Sequence, residues 1–417
     1  MTFAAADDQK VGRPLRLAEA LELVRPQLVR IRERESVELH EAHGRVLVQG
    51  LTAPLDLPPD DRSAMDGFAV RTADLVADAI ASLQVIGEAA AGHPFDGVVA
   101  EGQAVRILTG ALLPDGADRV VEQELCLCEG STVRLRRHVH GKDNCRRRGE
   151  DVRAGSVVLP AGHRLRAHDI ALAGALGLRR LTVLRRLRVG LFSTGDELCE
   201  PGQMCQRGQI WDANRLLLPG LLAPLACDVH DYGILQDDAH KMESALLTAA
   251  RDCDLLITTG GMSVGREDHV RSIIGRRGSL EVWPLAIKPG RPVGLGDIDD
   301  CPILALPGNP IAAAIAFLAF GRPIVTMLAG ARDEAPLMLQ LPAGFELEKL
   351  RGVRQFLLAD VGRDRSGASV AIPWHTQSPA MLSPLVGATG LIVLPEDCVQ
   401  VIPGDTVAFV PLNAFLQ

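Results

Sequence analysis

Between Arg188 and Phe320 the chain repeats one pattern: a short apolar run, a glycine-rich loop, then a helical stretch. The runs are LRVGLF, CDLLITT and CPILAL, and the last leads into the apolar segment Ile311 to Phe320. Parallel strands need a long crossover between them, so this alternation predicts a doubly wound parallel sheet with helices on both faces. Ligands of such sheets sit beyond the carboxyl ends of the strands, at a topological switch point. The loops after the runs are therefore where chemistry is expected.

The first run ends in Ser193, Thr194, Gly195, Asp196 and Glu197. Small hydroxyls and a glycine let backbone amides approach an anion, and adjacent carboxylates suit Mg²⁺. The same residues also fit a helix start, with a hydroxyl cap and acids offsetting the dipole. The second run ends in Thr258, Thr259, Gly260, Gly261, Met262, Ser263, Val264 and Gly265. Its GxxxxG spacing resembles a phosphate loop, but Arg266 and Glu267 replace the Lys and Ser/Thr of a nucleoside triphosphatase. It also matches GxSxG, which offers a rival reading as a serine hydrolase using Ser263, with Asp297 and His375 as triad partners. After the third run come Pro307, Gly308, Asn309 and Pro310, where Asn309 suits a helix cap and Pro310 the first turn. Lys288 and Arg291 bring cations to the same edge. Together these features predict a phosphorylated ligand with a divalent ion. No GxGxxG is present, which disfavours a nicotinamide enzyme.

Other segments read differently. Leu17, Leu21, Val24, Leu28 and Ile31 lie at helical spacing, predicting an amphipathic helix over 15–31 disturbed at Pro26. From about Thr52 to Asn144 short β-branched runs alternate with Pro, Gly and Asp, predicting a small β-rich unit. Within it Asp66-Gly67 reads as a hairpin turn. Arg134 to Arg153 is a basic stretch read as a solvated face, and a helix follows with its stop at Gly177. The last 80 or so residues are again β-like.

A formal charge of −8 argues against a general polyanion coat, and 10 Phe, 3 Trp and 1 Tyr leave little for base stacking, so no nucleic-acid partner is expected. The N-terminus lacks a signal-peptide pattern and the ten-residue apolar run is short for a bilayer, so a cytoplasmic chain without a membrane partner is expected. Nine cysteines without a CxxC pair suit reduced thiols. Cys126 and Cys128 with His138 and His140 could ligate zinc, or be strand residues sharing a face.

The motifs PPDDRSAMDGFAV, RILTGALLPDGADRVVEQE, RRRGEDVRAGSVVL, GLFSTGDEL, GQIWDANR, LLITTGGMSVGREDHV, AIKPGRPVGLG and ALPGNP occur in this order. In that order and spacing they resemble the MoeA/gephyrin family of molybdopterin molybdenumtransferases over about residues 14 to 330. The resemblance implies an α/β multidomain chain. Its parts would be a split N-terminal α/β lid domain (14–51 and 148–186), an inserted β-rich domain (52–147), a doubly wound molybdopterin-binding domain (187–331) and a C-terminal β-barrel (335–417). It also implies an elongated homodimer, with the active site between the doubly wound domain of one subunit and the inserted domain of the other. The implied reaction takes adenylylated molybdopterin and molybdate, releases AMP and inserts molybdenum, with Mg²⁺.

By motif, Asp66, Thr109, Asp151, Glu197, Asp237 and Asp268 resemble catalytic positions, with Glu197 and Asp268 as metal ligands. Ser193, Thr194, Gly195, Gly260, Gly261, Ser263, Lys288, Arg291, Pro307 and Asn309 line the expected substrate crevice. Arg354, Ser378 and Ser383 are added from the C-terminal domain. Departures from the family pattern are Arg291 where Lys is common, Ala312 where Ser is frequent, and Pro284 and Leu358 at commonly basic positions. A scaffold protein on the same fold is the alternative that these departures leave open.

Overall fold

The computed structural model describes residues 13–75, 81–135, 142–236, 238–260, 269–332 and 335–415. Contacts divide the chain into two compact units, one formed by 1–48, 162–167 and 180–417, the other by 49–161 and 168–179.

The larger unit is built on a six-stranded sheet. Its strands are β1 (Arg188–Thr194), β2 (Asp228–Leu235), β3 (Leu255–Thr259), β4 (Gly278–Pro284), β5 (Pro292–Ile298) and β6 (Cys301–Leu306), in the order β2-β1-β3-β6-β5-β4. The strands β2, β1, β3 and β6 run parallel, as expected, but β5 is antiparallel to β6 and β4 antiparallel to β5, so β5 alone runs against the rest and the sheet is mixed. Parallel strands covered on both faces read as unbroken apolar runs, and β3 and β6 are buried at every position. Alternate side chains feed two cores. Leu191, Ile257 and Leu304 face one, while Phe192, Leu256 and Ile303 face the other.

Helices α1 (Asn214–Leu222), α2 (Ala239–Asp252), α3 (His269–Arg277), α4 (Pro310–Ala316) and α5 (Arg322–Leu328) cover the sheet. In α2 the Asp238 carboxylate accepts from the His240 and Lys241 N–H groups, and Met242, Leu246 and Ala249 fall on the buried stripe. A π turn at Phe317–Gly321 joins α4 to α5 into one apolar helix, Pro310–Leu328, 78% of whose apolar window is packed inside the protein. It is the one helix among the described residues long and apolar enough to cross a membrane by composition.

The helix expected over 15–31 stops at Val24. Pro26 turns the chain into a 3₁₀ segment, Arg25–Gln27, and an extended stretch follows in which Ile31 is still buried. Further on, Arg34–Glu38 pairs antiparallel with Arg180–Leu184. The C-terminal part pairs Leu339–Pro342, Arg354–Arg363, Ser369–Pro373, Gly390–Leu394 and Thr406–Pro411. It closes on itself through an Ala343–Ala371 bridge, a small barrel.

The smaller unit centres on another six-stranded sheet. Its order is Arg119–Glu122, Gly67–Val70, Gln103–Ile107, Ser82–Ala89, Thr132–Leu135 and Cys126–Glu129. From the basic stretch read as a solvated face, Arg148 is exposed and Arg147 half-buried, and each holds a carboxylate: Arg148 pairs with Asp56 at 2.6 Å and Arg147 with Asp61 at 2.8 Å.

Candidate functional site

Three loops of the larger unit meet at the carboxyl edge of β1, β3 and β6. The Gly260 N–H donates to Leu306 O at 3.2 Å, and a Cβ on Gly260 would lie 2.9 Å from Thr194 O and one on Gly308 3.8 Å from the Gly260 Cα. Gly260 has φ +83°, so both its conformation and its neighbours require the missing side chain. Behind the loops, Ser193 Oγ and Thr259 Oγ1 share a buried hydrogen bond of 3.1 Å. The connection from β4 to β5 reaches the same edge, because β5 starts opposite the end of β6, with Gly294 facing Ala305. It carries Lys288 and Arg291, both exposed and without an acidic partner among the described residues.

The loop after β1 is a turn and not a helix start. Leu198 N–H closes on Gly195 O at 3.1 Å and a two-residue strand follows. Gly195, at φ +136°, leaves room for the Glu197 carboxylate, whose Oε2 would stand 2.3 Å from a Cβ there. That exposed carboxylate takes no partner among the described residues. After β6, Asn309 occupies the cap position of α4 and Pro310 its first turn, but the Asn309 side chain makes no capping bond. The Ile311 N–H is committed to Pro379 O at 3.0 Å, which leaves the donor set of this helix end smaller than the spacing predicts. Pro307 is buried beside it.

The same contact brings Ser378, half-buried, to the start of α4. Ile287–Lys288 forms a parallel edge with Arg354–Gln355, placing Arg354 beside the Lys288 strand, where it pairs with Glu396 at 3.2 Å. Ser383 heads the short helix Ser383–Gly387 and is exposed. Leu358 lies in the apolar core, where a basic side chain would have no place, and Ala312 is buried in α4.

Sequence reasoning missed Asn214 and Arg215 as site groups. Asn214 Nδ2 donates to Gly308 O at 2.7 Å and so holds the loop after β6, while its Oδ1 is buried with no partner among the described residues. Thr194 Oγ1 and Thr258 Oγ1 are orphaned in the same way. Buried polar atoms without partners are rare, and these three lie near the ends of β1 and β3 and at the start of α1. Arg215 is itself buried and is held by Asp212 at 3.2 Å, Asp231 at 2.5 Å and Glu200. Burial opposes the Asp231 charge, but the Arg215 guanidinium and the Gly233 N–H hold its carboxyl below the usual range. The signal was the DANR stretch, a cluster of polar residues at a helix start.

In the smaller unit Asp66 and Thr109 come together: Asp66 Oδ1 accepts from the Thr109 hydroxyl at 2.6 Å and its N–H at 2.7 Å. These bonds, with Arg106 nearby, hold the exposed Asp66 carboxyl below its ordinary value. The hairpin reading of Asp66-Gly67 does not hold. Arg62–Ser63 pairs with Cys145–Arg146 and Gly67–Val70 with two other strands, so the flanking segments never pair with each other. Gly67 is required because a Cβ would lie 1.9 Å from Val121 O. Asp151 is exposed, and its N–H bonds to Leu57 O at 3.0 Å.

Asp237, Gly261, Ser263, Asp268, His138 and His140 lie outside the described residues. The hydrolase reading nonetheless loses its acid. Asp297 faces Pro302 at the start of β6, roughly 13 Å along the strand from the site edge, and accepts a hydrogen bond from Ser279. Cys126 and Cys128 lie on an edge strand, and burial, with Cys128 and Glu124 adding to it, pushes the Cys126 thiol up to about 12. No group of three His, Cys, Asp or Glu side chains among the described residues could hold a metal.

A doubly wound domain with loops gathered at its sheet edge, followed by a small barrel, defines a class of multidomain α/β proteins. Residues 15–177 match the MoeA N-terminal region (domain I and II), 190–327 a probable molybdopterin binding domain, and 340–412 the MoeA C-terminal region (domain IV). The molybdopterin molybdenumtransferase of Haemophilus influenzae is 36% identical over 386 residues, covering 92% of this chain and 95% of that protein. Molybdopterin molybdenumtransferase 2 of Mycobacterium tuberculosis is 35% identical, covering 88% and 93%. The crystal structure of the molybdopterin biosynthesis MoeA protein from Pyrococcus horikoshii superposes with a TM-score of 0.81 at 29% identity, over 96% of this chain and 100% of that one. The chain belongs to the MoeA family of molybdopterin molybdenumtransferases.

Proposed function

We propose that this chain is a molybdopterin molybdenumtransferase, which converts adenylylated molybdopterin and molybdate into molybdenum cofactor with release of AMP. The observation that carries this reading is the meeting of three loops at one sheet edge, where Thr194, Thr258 and Asn214 leave buried polar atoms unpartnered. The backbone amides of Gly308 and Asn309 would bind the pyrophosphate and fix its position, with Ser193 and Thr194 behind them. Lys288 and Arg291, without an acidic partner among the described residues, would attract molybdate, with Arg354, Ser378 and Ser383 nearer the barrel. The substrate carries its own sulfurs, so the chain's cysteines need not ligate molybdenum.

Mg²⁺ keeps several waters and takes one or two protein carboxylates with substrate phosphates. The Glu197 carboxylate, without a partner among the described residues, fits that role, with Asp268 as its proposed companion. When bound, the ion would supply positive charge against the phosphate oxygens. Asp66, held ionised by Thr109, together with Asp151 and Asp237, would orient water or accept a proton.

The further readings are a cytoplasmic homodimer and the four-part division 14–51 with 148–186, 52–147, 187–331 and 335–417. Incubation with adenylylated molybdopterin and molybdate should yield AMP and molybdenum-loaded pterin in step. Binding of the adenylate without AMP release would leave a scaffold in place of an enzyme.

A further inference from the structure

The run after the first helix, Arg25-Pro-Gln-Leu-Val-Arg30-Ile-Arg32-Glu-Arg34, carries four arginines and one acid in a chain whose net charge is −8. Its middle is extended, and the Ile31 N–H donates to Leu328 O at 2.9 Å while the Ile31 side chain is buried. Side chains alternate along an extended chain, so Arg30 and Arg32 emerge together on the side opposite Ile31. With Arg25 they line a basin of about 390 Å³ whose half-buried floor includes Leu28, Met327 and Ala331.

Two ordinary duties for these guanidiniums are already taken. The end of α5 needs no cation to cap it. Leu328 O is bonded by Ile31, Met327 O by the Gly330 N–H at 3.1 Å and Thr326 O by the Ala331 N–H at 3.0 Å. The one acid of the run, Glu33, bonds the Arg32 N–H at 3.1 Å and Arg185 at 3.4 Å. Arg25, Arg30 and Arg32 have no side-chain partner among the described residues. Like charges gathered around one concavity repel, and an anion removes that penalty. Arginine forks match phosphate oxygens in pairs, and the apolar floor offers a surface to an organic body.

We propose that this basin is a binding site for an organic phosphate, its phosphate held by Arg25, Arg30 and Arg32 and its apolar portion lying on Leu28, Met327 and Ala331. The site is separate from the sheet-edge crevice and does not depend on its function. Titration of the full-length protein with phenyl phosphate at low salt, by calorimetry, tests it. Phenyl phosphate should bind at least threefold more tightly than inorganic phosphate. An R30Q/R32Q variant, which changes only exposed side chains and should keep the wild-type melting temperature, should bind it at least tenfold more weakly. Lys288→Ala should leave this binding event in place. Equal affinity in wild type and R30Q/R32Q, equal affinity for the two probes, or loss of the event in Lys288→Ala would each overturn the proposal.

Discussion

Replacing Arg215 by Met tests whether its buried ion network holds the site loops. Arg215 has 7% of its side chain exposed and Asp212 2%, whereas Asp231 and Glu200 are 50% and 40% exposed. The exposed pairs are screened and contribute about 0.2–1 kcal/mol each. The Asp212 pair is different, because Arg215→Met leaves a buried carboxylate without its cation, holding only the residue-215 backbone N–H at 3.2 Å, at a cost of about 3–5 kcal/mol. In a unit of this size that loss lowers the melting temperature by on the order of 10 °C. Calorimetric or urea unfolding reads it directly. Asp231→Asn is the control and should cost at most about 1 kcal/mol. Removing both partners in Arg215→Met with Asp212→Leu should recover much of the stability, since an apolar pair avoids the stranded charge. Arg215 follows Asn214, which grips Gly308, so AMP release should fall in Arg215→Met at temperatures where the protein is still folded. A loss under 1 kcal/mol, or a double variant no better than the single one, would refute the assignment of the cost to Asp212.

Glu197→Gln should lower AMP release about 100-fold or more with an unchanged melting temperature, because its carboxylate has no structural partner among the described residues; retained activity would remove it from the metal set. Lys288→Ala should raise the molybdate concentration for half-maximal insertion about 10-fold or more, as loss of a charge-assisted hydrogen bond does, and an unchanged dependence would exclude it. Thr109→Val should let the Asp66 carboxyl return toward about 3.9, read by carbon NMR of the carboxyl, whereas an unmoved titration would mean that the backbone N–H alone depresses it. Asp231 is held below its usual range, so its stabilising share is present above about pH 4 and lost as pH falls through the lowered value; Asp231→Asn should flatten acid unfolding only below that point.

How much of the fold is legible depends on how local its causes are. The runs at β1, β3 and β6 announce themselves because a parallel strand covered on both faces must be apolar throughout. The edge pair β4 and β5 does not. Gly278 and Gly296 dilute the strand pattern, and the reason for them is tertiary: a Cβ would lie 2.1 Å from Asp297 O at one and 1.9 Å from Ser279 O at the other. The turn from β5 to β6 is equally hidden, since it uses Asp299 and Asp300, both at positive φ, where a glycine would have marked it.

At the site the sequence misleads in a consistent direction. Asn309 looks like a helix cap, Asp66-Gly67 like a hairpin turn and Ser193 to Glu197 like a helix start, because local rules hand each polar side chain to the nearest backbone group. In the structure the Asn309 side chain makes no capping bond, Asp66 bonds Thr109 forty-three residues away, and the Glu197 carboxylate bonds no described residue. The Ile311 amide, which position alone would leave for a ligand, is taken by Pro379 from the barrel segment. Long-range contacts thus decide which polar groups are free. Local consistency is commonly given up at functional sites, so these failed local assignments support the proposed site.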